Sequence, residues 1–180
     1  METELGVIMA EGFRDQLRTD IVLLGSGSIR KPSLGPIVTL RDFKEIYPFT
    51  QPILRVILSG AQLRHGLKHM MREEAFETGA HTEWYQLSGG LRCEYDRPSQ
   101  TIISLSYNGR EMQDDDLFTV ALTNFHVLNI ESFLDLKTEE VEANGKPVTI
   151  ASSEQNVLQE YFVAHPRIEY DGIPRLISHS

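Results

Sequence analysis

The chain has 180 residues, 41% of them hydrophobic and 24% charged, which suits one domain with a sizeable core and does not suit a disordered segment. Its 26 acidic against 17 basic residues leave a net charge of −9, and no Lys/Arg run is present to track a nucleic-acid backbone. The single cysteine, Cys93, excludes an internal disulfide and a cysteine-based metal site, and no apolar run reaches membrane-spanning length.

The chain opens on Met1-Glu2-Thr3-Glu4, acidic where a signal peptide would be basic. Residues 4–17 then place Leu5, Ile8, Met9, Phe13 and Leu17 on one face, which predicts an amphipathic helix. Residues 20–24 form a short apolar strand that runs into the loop Gly25-Ser26-Gly27-Ser28-Ile29-Arg30. Gly25 and Gly27 allow backbone to approach a ligand and tolerate positive φ. Arg30 offers a planar fork of donors suited to phosphate or carboxylate. The same loop also reads as an ordinary turn with a solvated arginine. A second short strand is expected at residues 37–39. Thr39, with Asp42 three positions on, predicts a capped helix through Leu40, Phe43 and Ile46, stopped by Pro48. Phe49 follows that proline, outside any regular apolar pattern.

Residues 53–58 read as a strand, and Ser59 caps a helix from Gly60 to about Glu74 with Leu63, Leu67 and Met70 facing inward. Residues 87–95, 101–107 and 117–122 read as strands, and Asn108-Gly109 signals a hairpin between the last two or their extensions. Cys93 lies in the first of these strands, as a small core residue. Asp114-Asp115-Asp116 reads as a solvated turn. Asn129-Ile130-Glu131-Ser132-Phe133 reads as a polar loop, and Asn144-Gly145 as a second turn. Ser153 caps a helix over residues 154–164, which Pro166 ends, and residues 167–180 are loop or one final strand. Helices and strands mix without a regular βαβ period, so the fold class is α+β: mixed sheets with packed helices in one domain.

Several chemistries are tested by spacing. His65 and His69 share a helical face, yet Gly66 stands where a zinc protease has its glutamate, and Arg64 and Lys68 make the patch cationic. Gly25-Ser26-Gly27-Ser28 has the wrong spacing for a nucleophile elbow, and no Gly-Lys-Ser/Thr occurs. Glu73 and Glu74 are adjacent and diverge by about 100° on a helix, so they cannot face each other as an acid/base pair. The aspartates at 114–116 lack the glycine and distal glutamate of an EF-hand loop. Phe49 and Phe133 either cap the core or sandwich a flat heterocycle, should their loops meet.

The ordered set Leu5-Gly6, residues 20–24, Gly27-Ser28-Ile29-Arg30, Gly35-Pro36-Ile37-Val38-Thr39, Tyr47-Pro48-Phe49, residues 58–63, Ser88-Gly89-Gly90, Tyr95-Asp96, Phe118-Thr119-Val120-Ala121, Asn124-Phe125 and Asp171-Gly172 near Arg175 resembles the C-terminal domain of 5′-nucleotidases. The resemblance covers nearly the whole chain, residues 1–180 as one such domain. It implies a module that binds a nucleotide or nucleoside between two aromatic rings. Phe49 takes the ring of the family's Pro-Phe motif and Phe133 the ring ending its Gly-Gly-Asp-Gly-aromatic loop. Arg30 closes the Asn-x-Gly-x-x-Arg loop, to which Gly25 and Gly27 belong, and would hold an anionic group. The chain departs from the pattern in three places: the loop's asparagine is Gly25, Gly-Gly-Asp-Gly is Asn129-Ile130-Glu131-Ser132, and where a further family arginine lies just before Glu2 this chain has Met1.

The family's Asp-x-His and Gly-Asn-His-Glu/Asp motifs do not occur in this sequence. The resemblance therefore implies that two divalent metal ions sit on a separate N-terminal metallophosphoesterase domain, and that this chain has no cofactor of its own and is catalytically silent alone. The acidic balance and the lack of a long apolar run predict no nucleic-acid or membrane partner. The family is often periplasmic, cell-surface or secreted, and the location of this chain stays open. The departures leave a second reading: a diverged structural or interaction module that no longer binds.

Overall fold

Buried strands that present side chains to both faces of a sheet organise the molecule. The computed structural model describes residues 2–35, 37–79 and 82–180; Met1 and Pro36, both part of the sequence readings above, lie outside them. Helix α1 (Glu4–Leu17) leads into strand β1 (Ile21–Gly25), all five residues of which are buried. Ile21 and Leu23 enter one hydrophobic cluster, and Val22 and Leu24 enter another on the opposite face. The sheet around β1 runs β3 (Tyr85–Leu87), β1, β7 (Leu117–Thr123), β2 (Ile53–Ser59), β8 (Val148–Ala151). β1 and β7 are parallel, and the other pairs are antiparallel.

One face of this sheet is covered by α1, α2 (Leu40–Ile46) and α7 (Glu154–Ala164) through Met9, Phe13, Ile46 and Leu158. The other face packs on α3 (Gly60–Met70) and on a second sheet, β6 (Arg110–Glu111), β5 (Thr101–Tyr107), β4 (Leu91–Asp96), β9 (Leu176–His179). The α+β class follows directly from these two mixed layers. Between β7 and β8 run three short helices: α4 (Asn124–Leu128), α5 (Ile130–Leu134) and α6 (Thr138–Glu142). Among the described residues no helix is long and apolar enough to cross a membrane.

Local chemistry sets the boundaries. Thr39 and Asp42 form a reciprocal capping box at α2, and Ser59 and Gln62 form another at α3. Thr3 and Ser153 cap α1 and α7. Asn108 and Gly109, at φ 50° and 78°, form the two-residue turn between β5 and the short β6, rather than a direct link to β7.

Four expectations are corrected. The strand over residues 87–95 is two strands in different sheets, because Gly90 turns at φ 84° and Ser88 is drawn into the core, its Oγ accepting from Val22 N at 2.8 Å. Residues 37–39 are no strand; Ile37 is 85% exposed and the segment feeds the α2 cap. Helix α3 ends at Met70, and Glu73–Phe76 is a 3₁₀ turn. The polar loop around residues 129–133 is helix α5, with Ile130 and Leu134 buried on its inner side.

Candidate functional site

Because β1 and β7 are parallel, both deliver their C-terminal ends to one edge of the first sheet. The chain leaves β1 at Gly25 into a 3₁₀ turn, Ser26–Ser28, and leaves β7 at Thr123 into α4. The loop before β2 joins this edge through Asn124 N donating to Pro52 O at 2.9 Å. The segment before β3 joins it through Ser26 N donating to Trp84 O at 2.7 Å. Four separate stretches of sequence therefore meet here.

Arg30 and Phe49 come together. Arg30 N donates to Ile46 O at 2.8 Å, which fixes the backbone, and its guanidinium lies 5.0 Å from the centre of the Phe49 ring. Phe49 is half-buried and meets Tyr47 edge-on at 6.2 Å. Phe133 is half-buried on α5, 5.1 Å from the His126 ring and 5.5 Å from Phe125. The two phenylalanines pack against different hydrophobic clusters, Phe49 with the α1 side and Phe133 with the α3 side. Their segments are neighbours through the Asn124–Pro52 bond.

The glycines act differently from the expectation. Gly25 has φ −60°, so no left-handed conformation requires it. What requires it is space: a Cβ there would lie 2.4 Å from Cε1 and 2.5 Å from Nε2 of His126. The room expected for a ligand at Gly25 is filled by the protein's own imidazole. Gly27 is exposed, and its N–H donates to Glu83 Oε1 at 2.9 Å.

His126, Glu83, Tyr47 and Glu154 are not among the residues that spacing picks out. His126 is 3% exposed. Its Nδ1 pairs with Thr123 Oγ1 at 2.8 Å, while Nε2 has no hydrogen-bond partner among the described residues and stands 3.9 Å from Glu83 Oε2. The spacing of a strand-ending threonine and a histidine three positions on is the only sequence signal for this pair. Glu154 is buried and accepts from the Tyr47 hydroxyl at 2.7 Å and from Gln51 N at 3.2 Å. Burial pushes its carboxyl above the ordinary glutamate value and pushes the Tyr47 hydroxyl well up.

The remaining candidates are structural in their contacts. His65 Nε2 pairs with Asp135 Oδ2 at 2.9 Å, a bond that lowers the Asp135 pKa, and His69 Nε2 pairs with Ser132 O at 3.3 Å; both tie α3 to the α5 region. Among the described residues no three His, Cys, Asp or Glu side chains are set to hold a metal ion. Arg175, 7% exposed, makes a bidentate pair with Asp171 at 2.6 Å for both contacts. A cleft of about 920 Å³ lies between α1, α2 and α7, lined by Leu5, Ile8, Val38 and Phe162 among others, and contains none of the five expected binding residues.

Comparison with known proteins gives a consistent answer on fold. The family model described as "5'-nucleotidase, C-terminal domain" matches residues 1–137. Endonuclease YhcR of Bacillus subtilis (strain 168) is 26% identical over 125 residues, which is 69% of this chain and 10% of that protein. The 5'-nucleotidase precursor of Thermus thermophilus superposes with a TM-score of 0.78 at 22% identity, covering 98% of this chain and 35% of that one. The NAD nucleotidase of Haemophilus influenzae gives 0.76 at 14% identity, covering 98% and 33%. The chain thus spans about a third of these structures and a tenth of the curated relative.

Proposed function

The chain belongs to the 5′-nucleotidase C-terminal domain family, and from that premise we propose that it is a nucleotide- or nucleoside-recognition module. Phe49 and Phe133 stack the base, and Arg30 holds an anionic group on the solvent side. The Gly25–Gly27 turn forms the inner wall. On this reading hydrolysis belongs to a separate N-terminal metallophosphoesterase domain carrying two divalent ions, as the family resemblance implies.

The observation that carries the reading is the pairing of Arg30 with Phe49 at the sheet edge where the half-buried Phe133 also sits. A cation held over an aromatic ring, with one charge free for a ligand, suits a flat heterocycle attached to an anion. Stacking contributes about 1–3 kcal/mol per base face. Association costs at least about 4 kcal/mol. Binding by this domain alone is therefore weak, in the high micromolar to millimolar range or worse.

The test is a titration with adenosine, AMP and uridine nucleotides, read from aromatic side-chain NMR shifts, with Phe49→Ala and Phe133→Ala as controls. Saturable shifts that either substitution abolishes are expected. A second reading, a structural module without ligand, is favoured by α5 in place of a glycine loop and by His126 under Gly25. Spectra unmoved at several millimolar ligand would establish it instead.

A further inference from the structure

Among the described residues, Glu83 is the carboxylate that points into the turn after β1. Its Oε1 accepts the Gly27 N–H at 2.9 Å, and its Oε2 stands 3.9 Å from His126 Nε2. A Cβ on Gly25 would lie 2.5 Å from that nitrogen and 2.9 Å from Oε1, so carboxylate and imidazole converge over the same backbone atom. His126 cannot turn away freely: it is 3% exposed, pinned at Nδ1 by Thr123, and flanked by Tyr85 at 5.2 Å and Phe133 at 5.1 Å. Glu83 keeps 17% of its side chain exposed, so it also faces what enters from solvent.

This arrangement inverts the ordinary chemistry of a glycine turn. Backbone N–H groups in such a turn attract anions. Here the Gly27 donor is already taken by an internal anion. A phosphate approaching it meets a negative charge, whereas a hydroxyl can donate to the carboxylate. The Oε2 to Nε2 gap is too long for a direct hydrogen bond.

We propose that Glu83 is the specificity-determining residue of this site: it closes the β1 turn to anions and admits an uncharged, hydroxyl-bearing group there, leaving a phosphate only the Arg30 side. The proposal rests on the nucleoside-recognition reading above. Repulsion between a partly exposed carboxylate and a nearby phosphate, in a dielectric between surface and water values, changes binding by about three- to tenfold.

The experiment measures adenosine, AMP and inorganic phosphate binding to the wild-type chain and to Glu83→Gln by NMR titration, with thermal midpoints of both. Glutamine keeps an acceptor for Gly27 N–H and removes the charge. The wild type is expected to show an AMP-to-adenosine affinity ratio about three- to tenfold below that of Glu83→Gln. Glu83→Gln is expected to bind AMP about three- to tenfold tighter with adenosine changed less than about twofold, and to show a Gly27 amide shift with phosphate that the wild type lacks. An AMP-to-adenosine ratio equal in both proteins overturns the charge filter and leaves the aromatic clamp standing. Loss of both ligands in a folded Glu83→Gln makes Glu83 a direct contact and overturns it too. Should neither protein respond to any ligand, the recognition reading falls and takes the filter with it. If Glu83→Gln does not fold, Glu83→Ala is measured in its place, and an AMP-to-adenosine ratio unchanged from the wild type refutes the proposal.

Discussion

Gly25→Ala should destabilise the protein, and the sign of its effect should reverse when His126 is removed. Gly25 sits at φ −60° and ψ 129°, where alanine is unstrained. Replacing glycine there would by itself stabilise by about 0.4–1 kcal/mol through the unfolded chain. The added methyl, however, would stand 2.4 Å from His126 Cε1 in a ring that Thr123, Tyr85 and Phe133 hold in place. Overpacking of this kind costs about 1–3 kcal/mol. The net loss is then at most about 2.6 kcal/mol, or up to about 10 °C in Tm for a chain of this size. In a His126→Ala background the nearest remaining contact of the methyl is the far end of the Glu83 side chain, Oε1 at 2.9 Å. There Gly25→Ala should stabilise by about 0.4–1 kcal/mol. Urea unfolding of the four proteins of the cycle, followed by far-UV circular dichroism and by the fluorescence of the single tryptophan, Trp84, measures both steps. An equal cost in both backgrounds, or no cost in the wild type, would refute the steric account of Gly25.

Two further outcomes follow from buried groups. The Glu154 carboxyl is raised above its ordinary value of 4.5, chiefly by burial. The folded protein therefore retains a proton that the unfolded chain releases, and stability falls as pH rises from 4.5 through the raised pKa. Glu154→Gln keeps an acceptor for the Tyr47 hydroxyl but cannot titrate. Wild-type stability measured relative to it should decline across that window and level off above; a flat difference in urea midpoints, or a rising one, contradicts the assignment. Cys93 is wholly buried, and burial pushes its thiol up to about 12. A disulfide reagent at mildly alkaline pH should label native protein at least about a thousandfold slower than denatured protein, because only the unfolded fraction reacts. Labelling of the native chain at the denatured rate would place the thiol at the surface.

What could be read in advance was short-range. Thr39 with Asp42, Ser59 with Gln62, and Ser153 each act within three residues, and all three caps stand where spacing puts them. The apolar runs of β1, β2 and β7 mark them as strands, and most of their residues are buried or half-buried. What could not be read was the choice between two sheets at Ser88-Gly89-Gly90, since both flanking segments are good strands and only tertiary pairing separates them. Residues 129–133 are polar enough for a loop, yet burial of Ile130 and Leu134 pulls them into a turn of helix. At the site, Arg30, Phe49 and Phe133 stand out by residue type and position. Glu83 does not, because its partner Gly27 is 56 positions away and nothing local marks it.

The departures from the family pattern are not independent of one another. An asparagine at position 25 needs a Cβ, and that Cβ would overlap His126. The glycine therefore does more than remove a donor/acceptor pair from the loop: it makes room for the imidazole. That imidazole packs at 5.1 Å against Phe133, the residue carried by α5 where the family's glycine loop would run. Gly25, His126 and the 129–133 segment are thus one packed unit, and changing any single member leaves the others in a cavity or a clash. Restoring asparagine at position 25 alone should fail to restore a ligand contact, since the side chain has nowhere to go while His126 is present. Only the pair, Gly25→Asn with His126→Ala, separates the loss of a binding group from the loss of the space it occupied. A gain in nucleoside affinity by the pair but not by Gly25→Asn would show that the site was closed from within by packing; equal affinities would place recognition wholly on Arg30 and the two rings.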